Sequence, residues 1–227
     1  MKGTLYGVSV GPGNPELMTL QAVRLLKHCP VIAVPQTGDG GTVALDIAAK
    51  AVDLSGKEMI MLPFLMVRDR QKLHESHRKL AGLLKVPLDK GQDVAMLSLG
   101  DTSVYSSFSY MAELLRPAGY TIAVSAGVTS FCASAAALGV SLTEMNRPVH
   151  IIPAGANDGQ ALALPGTKVL MKAGRMLPQL LSSLKEKGLL DKAMLVQNCG
   201  LPNEKILKSV PEDFSGAGYF TTIILKE

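Results

Sequence analysis

Tryptophan is missing from the sequence and aromatic residues make up only 4% of it, so there are few rings on which bases could stack, and nucleic acid is not an expected partner. Long apolar runs are also lacking. None approaches the roughly 18 to 20 residues of a membrane-spanning helix. The opening Met-Lys-Gly-Thr-Leu-Tyr-Gly-Val passes straight into a strand pattern, with no apolar stretch or small-residue cleavage site of an export signal. No membrane and a cytoplasmic location are therefore expected. Cysteine is scarce: Cys29, Cys132 and Cys199 lie far apart, form no CxxC pair and are odd in number. That pattern excludes a disulfide framework and fits a reducing compartment. Among the four histidines, His74-Glu75-Ser76-His77 is one residue short of the HExxH spacing, so the i, i+4 pairing of two imidazoles is lost. A solvated helix face, and no metal, is expected there.

What is present describes a large globular chain. With 227 residues, 47% of them hydrophobic, it can bury a full core in one large domain or two small ones. Apolar, β-branched runs alternate with helical periodicity throughout, which predicts an α/β fold with parallel sheets and helical crossovers. Strands are expected at 4–10, 31–34, 58–62, 93–99, 120–125, 149–153, 168–171, 193–197, 206–210 and 219–225. Helices are expected at 17–28, 43–52, 68–86, 105–116, 129–138 and 177–187, and 38–41 reads as a glycine-rich loop. The breaker cluster Pro117-Ala118-Gly119 predicts a boundary between an N-terminal domain, 1–117, and a C-terminal domain, 118–227.

The net charge of +4 is concentrated. Segment 68–90 holds seven basic residues, Arg68, Arg70, Lys72, Arg78, Lys79, Lys85 and Lys90, against three acidic ones, whereas the rest balances at 16 of each sign. Such a segment either steers an anionic ligand or is a solvated helix face.

Four turns end strands. Gly11-Pro12-Gly13-Asn14-Pro15 follows the first, where an open parallel sheet places ligands. It is not a dinucleotide fingerprint, because Glu16 stands where glycine or alanine is needed and would repel a pyrophosphate. A tight turn fixed by prolines is the plainer reading. Gly100-Asp101-Thr102-Ser103-Val104-Tyr105-Ser106 leaves two options: Asp101 or Thr102 caps the next helix, or the glycine lets backbone approach a ligand whose donors the carboxylate binds. Ala126-Gly127-Val128-Thr129-Ser130 and Met171-Lys172-Ala173-Gly174 repeat the strand-then-glycine order.

In this order the stretches resemble the tetrapyrrole methylases over nearly the whole chain. Val10-Gly11-Pro12-Gly13-Asn14-Pro15-Glu16-Leu17 matches the family's first-strand turn. Residues 100–106 match its GDPxxYS signature, with Thr102 in place of proline, and residues 126–130 match its PG(V/I)(S/T)S turn, with Ala126 in place of proline. The opening 5–22 and the turn Asn198-Cys199-Gly200-Leu201-Pro202-Asn203-Glu204 are most similar to the group that methylates carbon 20 of precorrin-2. The Tyr-Asp-Arg usual in methylases of uroporphyrinogen III is replaced by Val34-Pro35-Gln36. The resemblance implies two α/β domains with a cofactor cleft between them, S-adenosylmethionine as methyl donor with S-adenosylhomocysteine as product, a tetrapyrrole substrate and a homodimer. It also implies that backbone near Pro12, Gly100, Asp101, Val104, Thr129, Ser130, Met171 and Cys199 surrounds S-adenosylmethionine. Charge location alone nominates Arg68, Arg70, Lys72 and Arg78 for the substrate carboxylates, and no catalytic acid or base is assigned. Other readings are a same-fold methylase acting on another ring carbon, on uroporphyrinogen III, on diphthamide or on ribosomal RNA, and a non-catalytic tetrapyrrole or cobalt carrier using His74 and His77.

Overall fold

Five apolar runs of the first half become one parallel sheet. In the computed structural model, which describes residues 1–37, 41–67, 69–156, 160–216 and 218–226, the strands are β1 (Thr4–Ser9), β2 (Val31–Thr37), β3 (Glu58–Phe64), β4 (Val94–Ser98) and β5 (Thr121–Ser125). Their order is β3-β2-β4-β1-β5, with every pairing parallel. Parallel neighbours need crossovers, which α1 (Leu20–His28), α2 (Val43–Ala51), α3 (Arg70–Asp89) and α4 (Phe108–Leu115) supply. All five residues of β4 are buried, which explains why Val94-Ala95-Met96-Leu97 shows no alternation: both faces of the sheet are covered. Leu5, Val31, Leu62, Leu84, Met96 and Met111 are fully buried in the resulting core.

Local chemistry sets the helix starts. Thr19 caps α1 by accepting the Ala22 N–H at 3.1 Å, and Asp69 caps α3 by accepting those of Gln71 and Lys72 at 3.0 and 3.1 Å. Two helices, α1 and α4, begin three residues later than their periodicity predicts. Residues Pro15–Leu17 form a separate 3₁₀ turn ahead of α1, and Tyr105 has φ +51°, which no right-handed helix tolerates, so α4 starts only at Phe108.

The chain divides into two units, Met1–Thr129 and Ser130–Glu227, later than the breaker at Pro117. The cause is β5, which pairs with β1 from Thr4↔Thr121 to Val8↔Ser125 and so completes the first sheet. The breaker is only the turn between α4 and β5, closed by Gly119 at φ +81°.

The second unit contains α5 (Ser130–Leu138), β6 (Val149–Pro153), β7 (Thr167–Met171), α6 (Leu177–Glu186), β8 (Ala193–Gln197), β9 (Lys205–Leu207) and β10 (Thr221–Leu225). Its sheet runs β6-β7-β10-β8-β9. Here the expectation of parallel pairing fails: β6–β7 is parallel, whereas β7–β10, β10–β8 and β8–β9 are antiparallel. The short segment 198–204 reverses the chain instead of crossing over, with Asn198 at φ +54° and Gly200 at φ +74°. Neighbouring residues of β10 face opposite cores: Ile223 packs with Leu170, Leu184 and Leu195, and Ile224 with Ala135, Leu138 and Val196.

Candidate functional site

The carboxyl ends of β4, β1 and β5 lie side by side, and each reads Ser-x-Gly: Ser98-Leu99-Gly100, Ser9-Val10-Gly11 and Ser125-Ala126-Gly127. This is the edge at which a parallel sheet presents ligands. Gly11 and Gly100 join two of the loops by reciprocal hydrogen bonds, Gly11 N–H to Gly100 O at 3.2 Å and Gly100 N–H to Gly11 O at 2.8 Å. Both are left-handed, at φ +74° and +73°, a conformation open to glycine at no steric cost. Pro12 follows, buried.

Asp101 is the best connected of the expected site residues. It is 8% exposed. Its Oδ1 accepts the Ser103 N–H at 2.8 Å and the Ser103 hydroxyl, and its Oδ2 accepts the Gly127 N–H at 2.6 Å. Burial pushes the carboxyl up, but the bonds from the Ser103 hydroxyl, the Gly127 N–H and the Ser103 N–H outweigh it and hold the group below its ordinary value. Neither Asp101 nor Thr102 caps α4, which begins at Phe108 and takes the Ser106 hydroxyl as acceptor for its first N–H at 3.1 Å. Asp101 instead clamps the loop after β4 to the loop after β5. Val104, half-buried, donates its N–H to the Asp101 carbonyl at 3.1 Å.

Sequence reading missed the serines and threonine beneath this clamp. Ser9 Oγ lies 2.9 Å from Thr102 Oγ1, accepts the Thr102 N–H at 2.9 Å and donates to Ser125 O at 2.7 Å. Ser9 N–H donates to Ser125 Oγ at 3.2 Å. The legible signal was the thrice-repeated Ser-x-Gly, a hydroxyl closing an otherwise apolar strand. Gly127 also has a packing reason, since a Cβ there would stand 2.3 Å from Ser9 Cβ and 2.7 Å from Gly100 O.

Thr129 closes the first unit and Ser130 opens α5; both are half-buried. In the second unit Met171 is the last residue of β7, and Lys172 after it holds φ +59°. Cys199 lies in the turn after β8, where Asn198 N–H bonds Phe220 O at 2.9 Å and Gly200 N–H bonds Glu204 Oε1 at 2.7 Å. Burial is the main cause that pushes the Cys199 thiol up to about 11, so it stays protonated at neutral pH.

Arg68 lies outside the described residues, as do 38–40 of the glycine-rich loop. Arg70, Lys72 and Arg78 are exposed on α3, with Lys72 Nζ 4.0 Å from Asp69. At 100° per residue Lys72 sits about 160° from Arg70 and about 120° from Arg78, so the three do not share one side of the helix. His77 serves packing: its ring stacks on Tyr110 at 4.5 Å and lies 5.7 Å from Phe64. Burial, more than the nearby His74, lowers its pKa, against an opposing effect of Glu113. Among the described residues no three His, Cys, Asp or Glu side chains gather as a metal site, and no helix is long and apolar enough to cross a membrane.

The chain is 34% identical over 184 residues, 81% of its length and 77% of the relative's, to the probable cobalt-precorrin-2 C(20)-methyltransferase of Methanocaldococcus jannaschii. It is 28% identical to the cobalt-precorrin-2 C(20)-methyltransferase of Salmonella typhimurium, covering 100% of this chain and 98% of that one. The uroporphyrin-III C-methyltransferase of Thermus thermophilus, solved in complex with S-adenyl homocysteine, shares the fold with a TM-score of 0.72 at 24% identity, over 99% of this chain and 98% of that one. The sequence profile of the tetrapyrrole (corrin/porphyrin) methylases matches residues 4–214, and the chain belongs to that family.

Proposed function

We propose that this chain is an S-adenosylmethionine-dependent C-methyltransferase that methylates carbon 20 of precorrin-2 or of its cobalt-loaded form, in cobalamin biosynthesis. The observation that carries the reading is the 34% identity, over 81% of the chain, to a relative named for that activity. The strand-end loops fit an adenosyl ligand through an acceptor. Gly11 and Gly100 commit their N–H groups to each other's carbonyls, whereas Asp101 Oδ2 accepts the Gly127 N–H, which leaves a lone pair for a ligand hydroxyl or amine.

Bound S-adenosylmethionine supplies an electrophilic methyl group on a sulfonium. The chain's task is alignment and exclusion of water, because displacement at that methyl by an electron-rich ring carbon needs few acid or base groups. Pro12, Gly100, Asp101, Val104 and Thr129 of the first unit are assigned to this ligand, and so are Ser130, Met171 and Cys199 of the second. Cys199 is assigned through its backbone, as the family resemblance implies. Arg70, Lys72 and Arg78, with Arg68 outside the described residues, are assigned to the substrate carboxylates through charge-assisted hydrogen bonds. A homodimer and a cytoplasmic location complete the reading. The three cysteines lie far apart and are odd in number, which suits a reducing compartment, and light scattering after gel filtration tests the dimer.

The decisive experiment incubates the protein with S-adenosylmethionine and metal-free or cobalt-loaded precorrin-2 and locates the new methyl by NMR. A methyl on carbon 20 is expected. A methyl on another ring carbon overturns the assignment of position, and absence of S-adenosylhomocysteine binding in calorimetry overturns the methyltransferase reading.

A further inference from the structure

We propose that Ser9 is a positioning residue for methyl transfer: its buried hydroxyl holds in register the loops that follow β1, β4 and β5. The inference rests on the reading of those loops as the S-adenosylmethionine site.

Proton counting shows how. Ser9 is 0% exposed, and a serine hydroxyl has one proton and two lone pairs. The proton goes to Ser125 O at 2.7 Å. One lone pair takes the Thr102 N–H at 2.9 Å. Having no second proton to give, Ser9 Oγ must accept from Thr102 Oγ1 at 2.9 Å. The oxygen is therefore saturated and has nothing left for a ligand, which excludes a catalytic or direct binding role.

The bonds close a ring. Ser9 ties the end of β1 to Thr102 in the loop after β4, Asp101 beside Thr102 ties that loop to Gly127 at 2.6 Å, and Ser125 ties the strand before Gly127 back to Ser9, both through its carbonyl and through Ser9 N–H to Ser125 Oγ at 3.2 Å. The partners are 93, 26 and 116 residues apart in the chain, so no local propensity maintains the ring. Pro12, Asp101 and Thr129 sit on the three loops that it joins. Ser98, the third serine of the repeated Ser-x-Gly, is different: its hydroxyl meets Ser106 Oγ at 2.9 Å, within its own loop. Alignment-controlled reactions lose rate steeply on small misplacements, so loosening the ring affects ligand binding beyond its effect on folding.

The test compares wild type, Ser9→Ala, Ser9→Cys and, as a core control on α3, Leu84→Ala. Calorimetric titration with S-adenosylhomocysteine is run where circular dichroism shows each protein folded, together with KM for S-adenosylmethionine and kcat. Ser9→Ala leaves the Thr102 N–H without its acceptor, and roughly tenfold weaker binding with a matching rise in KM is expected. Ser9→Cys, which keeps the size and a weak donor, should fall between, and it carries the comparison if Ser9→Ala does not fold. Leu84→Ala should lower the melting temperature with affinity within about twofold of wild type. A wild type that binds, with both Ser9 variants binding equally well, overturns the positioning role alone. A wild type that does not bind overturns the cofactor reading and this inference with it.

Discussion

The strand ends of the two units are built on different economies. In the first, the left-handed residues that bridge the loops after β1 and β4 are glycines, Gly11 and Gly100, and the polar groups beneath them are joined by hydrogen bonds. In the second, the residues that follow β7 and β8 are Lys172 and Asn198, at φ +59° and +54°. A left-handed conformation costs a side chain about 1 to 2 kcal/mol, less for asparagine. Where its loops bridge, the first unit therefore turns cheaply and concentrates precision in a buried network, leaving its left-handed side chain, Tyr105 at φ +51°, further along the loop after β4, whereas the second carries such strain directly at its strand ends. Asn198 is held by its N–H to Phe220 O, at 2.9 Å, and by Leu201 N–H to its carbonyl, also at 2.9 Å.

Substitutions at four places probe that contrast, the severest first. Gly127→Ala forces a Cβ to within 2.3 Å of Ser9 Cβ and 2.7 Å of Gly100 O. Overpacking of this kind typically costs about 1 to 3 kcal/mol, and the upper end is expected here because one of the two obstacles is backbone. Chemical denaturation measures it, and loss of S-adenosylhomocysteine binding should accompany it. Wild-type stability would mean that the three loops yield easily.

Asp101→Ala removes one acceptor from two N–H groups and a hydroxyl. Hydrogen bonds to charged groups are worth about 1.5 to 3 kcal/mol, and a loss within that range is expected. Because the folded carboxyl lies below its ordinary value, its stabilisation is complete above an unfolded carboxylate pKa of about 3.9 and is lost as the pH falls through the lower folded value. Asp101→Asn should therefore differ from wild type by a constant amount above about pH 5, with the difference shrinking below about pH 4. A difference that grows on acidification would contradict the clamp.

In the second unit the sign reverses. Lys172→Gly relieves a left-handed side chain, against the entropy glycine loses on folding, and should change stability by no more than about 1 kcal/mol, in the stabilising direction. Urea denaturation reads it. A clear loss would show that the lysine's contacts, such as the approach of its Nζ to 5.8 Å from the Tyr219 ring centre, outweigh the strain.

The smallest effect concerns α3. Exposed charges are worth about 0 to 1 kcal/mol each, and Arg70 and Arg78 lie about 80° apart around the helix, roughly two turns along it. Arg70→Ala with Arg78→Ala should raise the KM for the tetrapyrrole a few-fold at low salt, less at high salt. Equal KM at low salt would return the segment to a solvated face.

Much of the first unit was legible. Runs such as Val94-Ala95-Met96-Leu97 identify buried strands, because that signal acts within a few residues; the caps Thr19 and Asp69, which start α1 and α3 after the expected 17 and 68, went unread. The later start of α4 was not legible, since the left-handed Tyr105 obeys no local preference. Nor was the role of Asp101: spacing placed it at a strand end, but its partner Gly127 is 26 residues away.

By itself the sequence determined the α/β alternation, the glycine turns at 11, 100 and 127, the concentration of positive charge at 68–90 and the resemblance to a methylase family. Each of these is written in contiguous residues, where backbone freedom, hydrophobic period and charge can be read directly. Tertiary structure alone decided that β5 completes the first sheet beyond the Pro117 breaker, that β10 inserts antiparallel between β7 and β8, and that Ser9, Thr102, Asp101, Gly127 and Ser125 close a ring. Strand order and buried hydrogen bonds are chosen by which surfaces cover one another and which polar groups must find partners away from water, and those partners are up to 116 residues away along the chain.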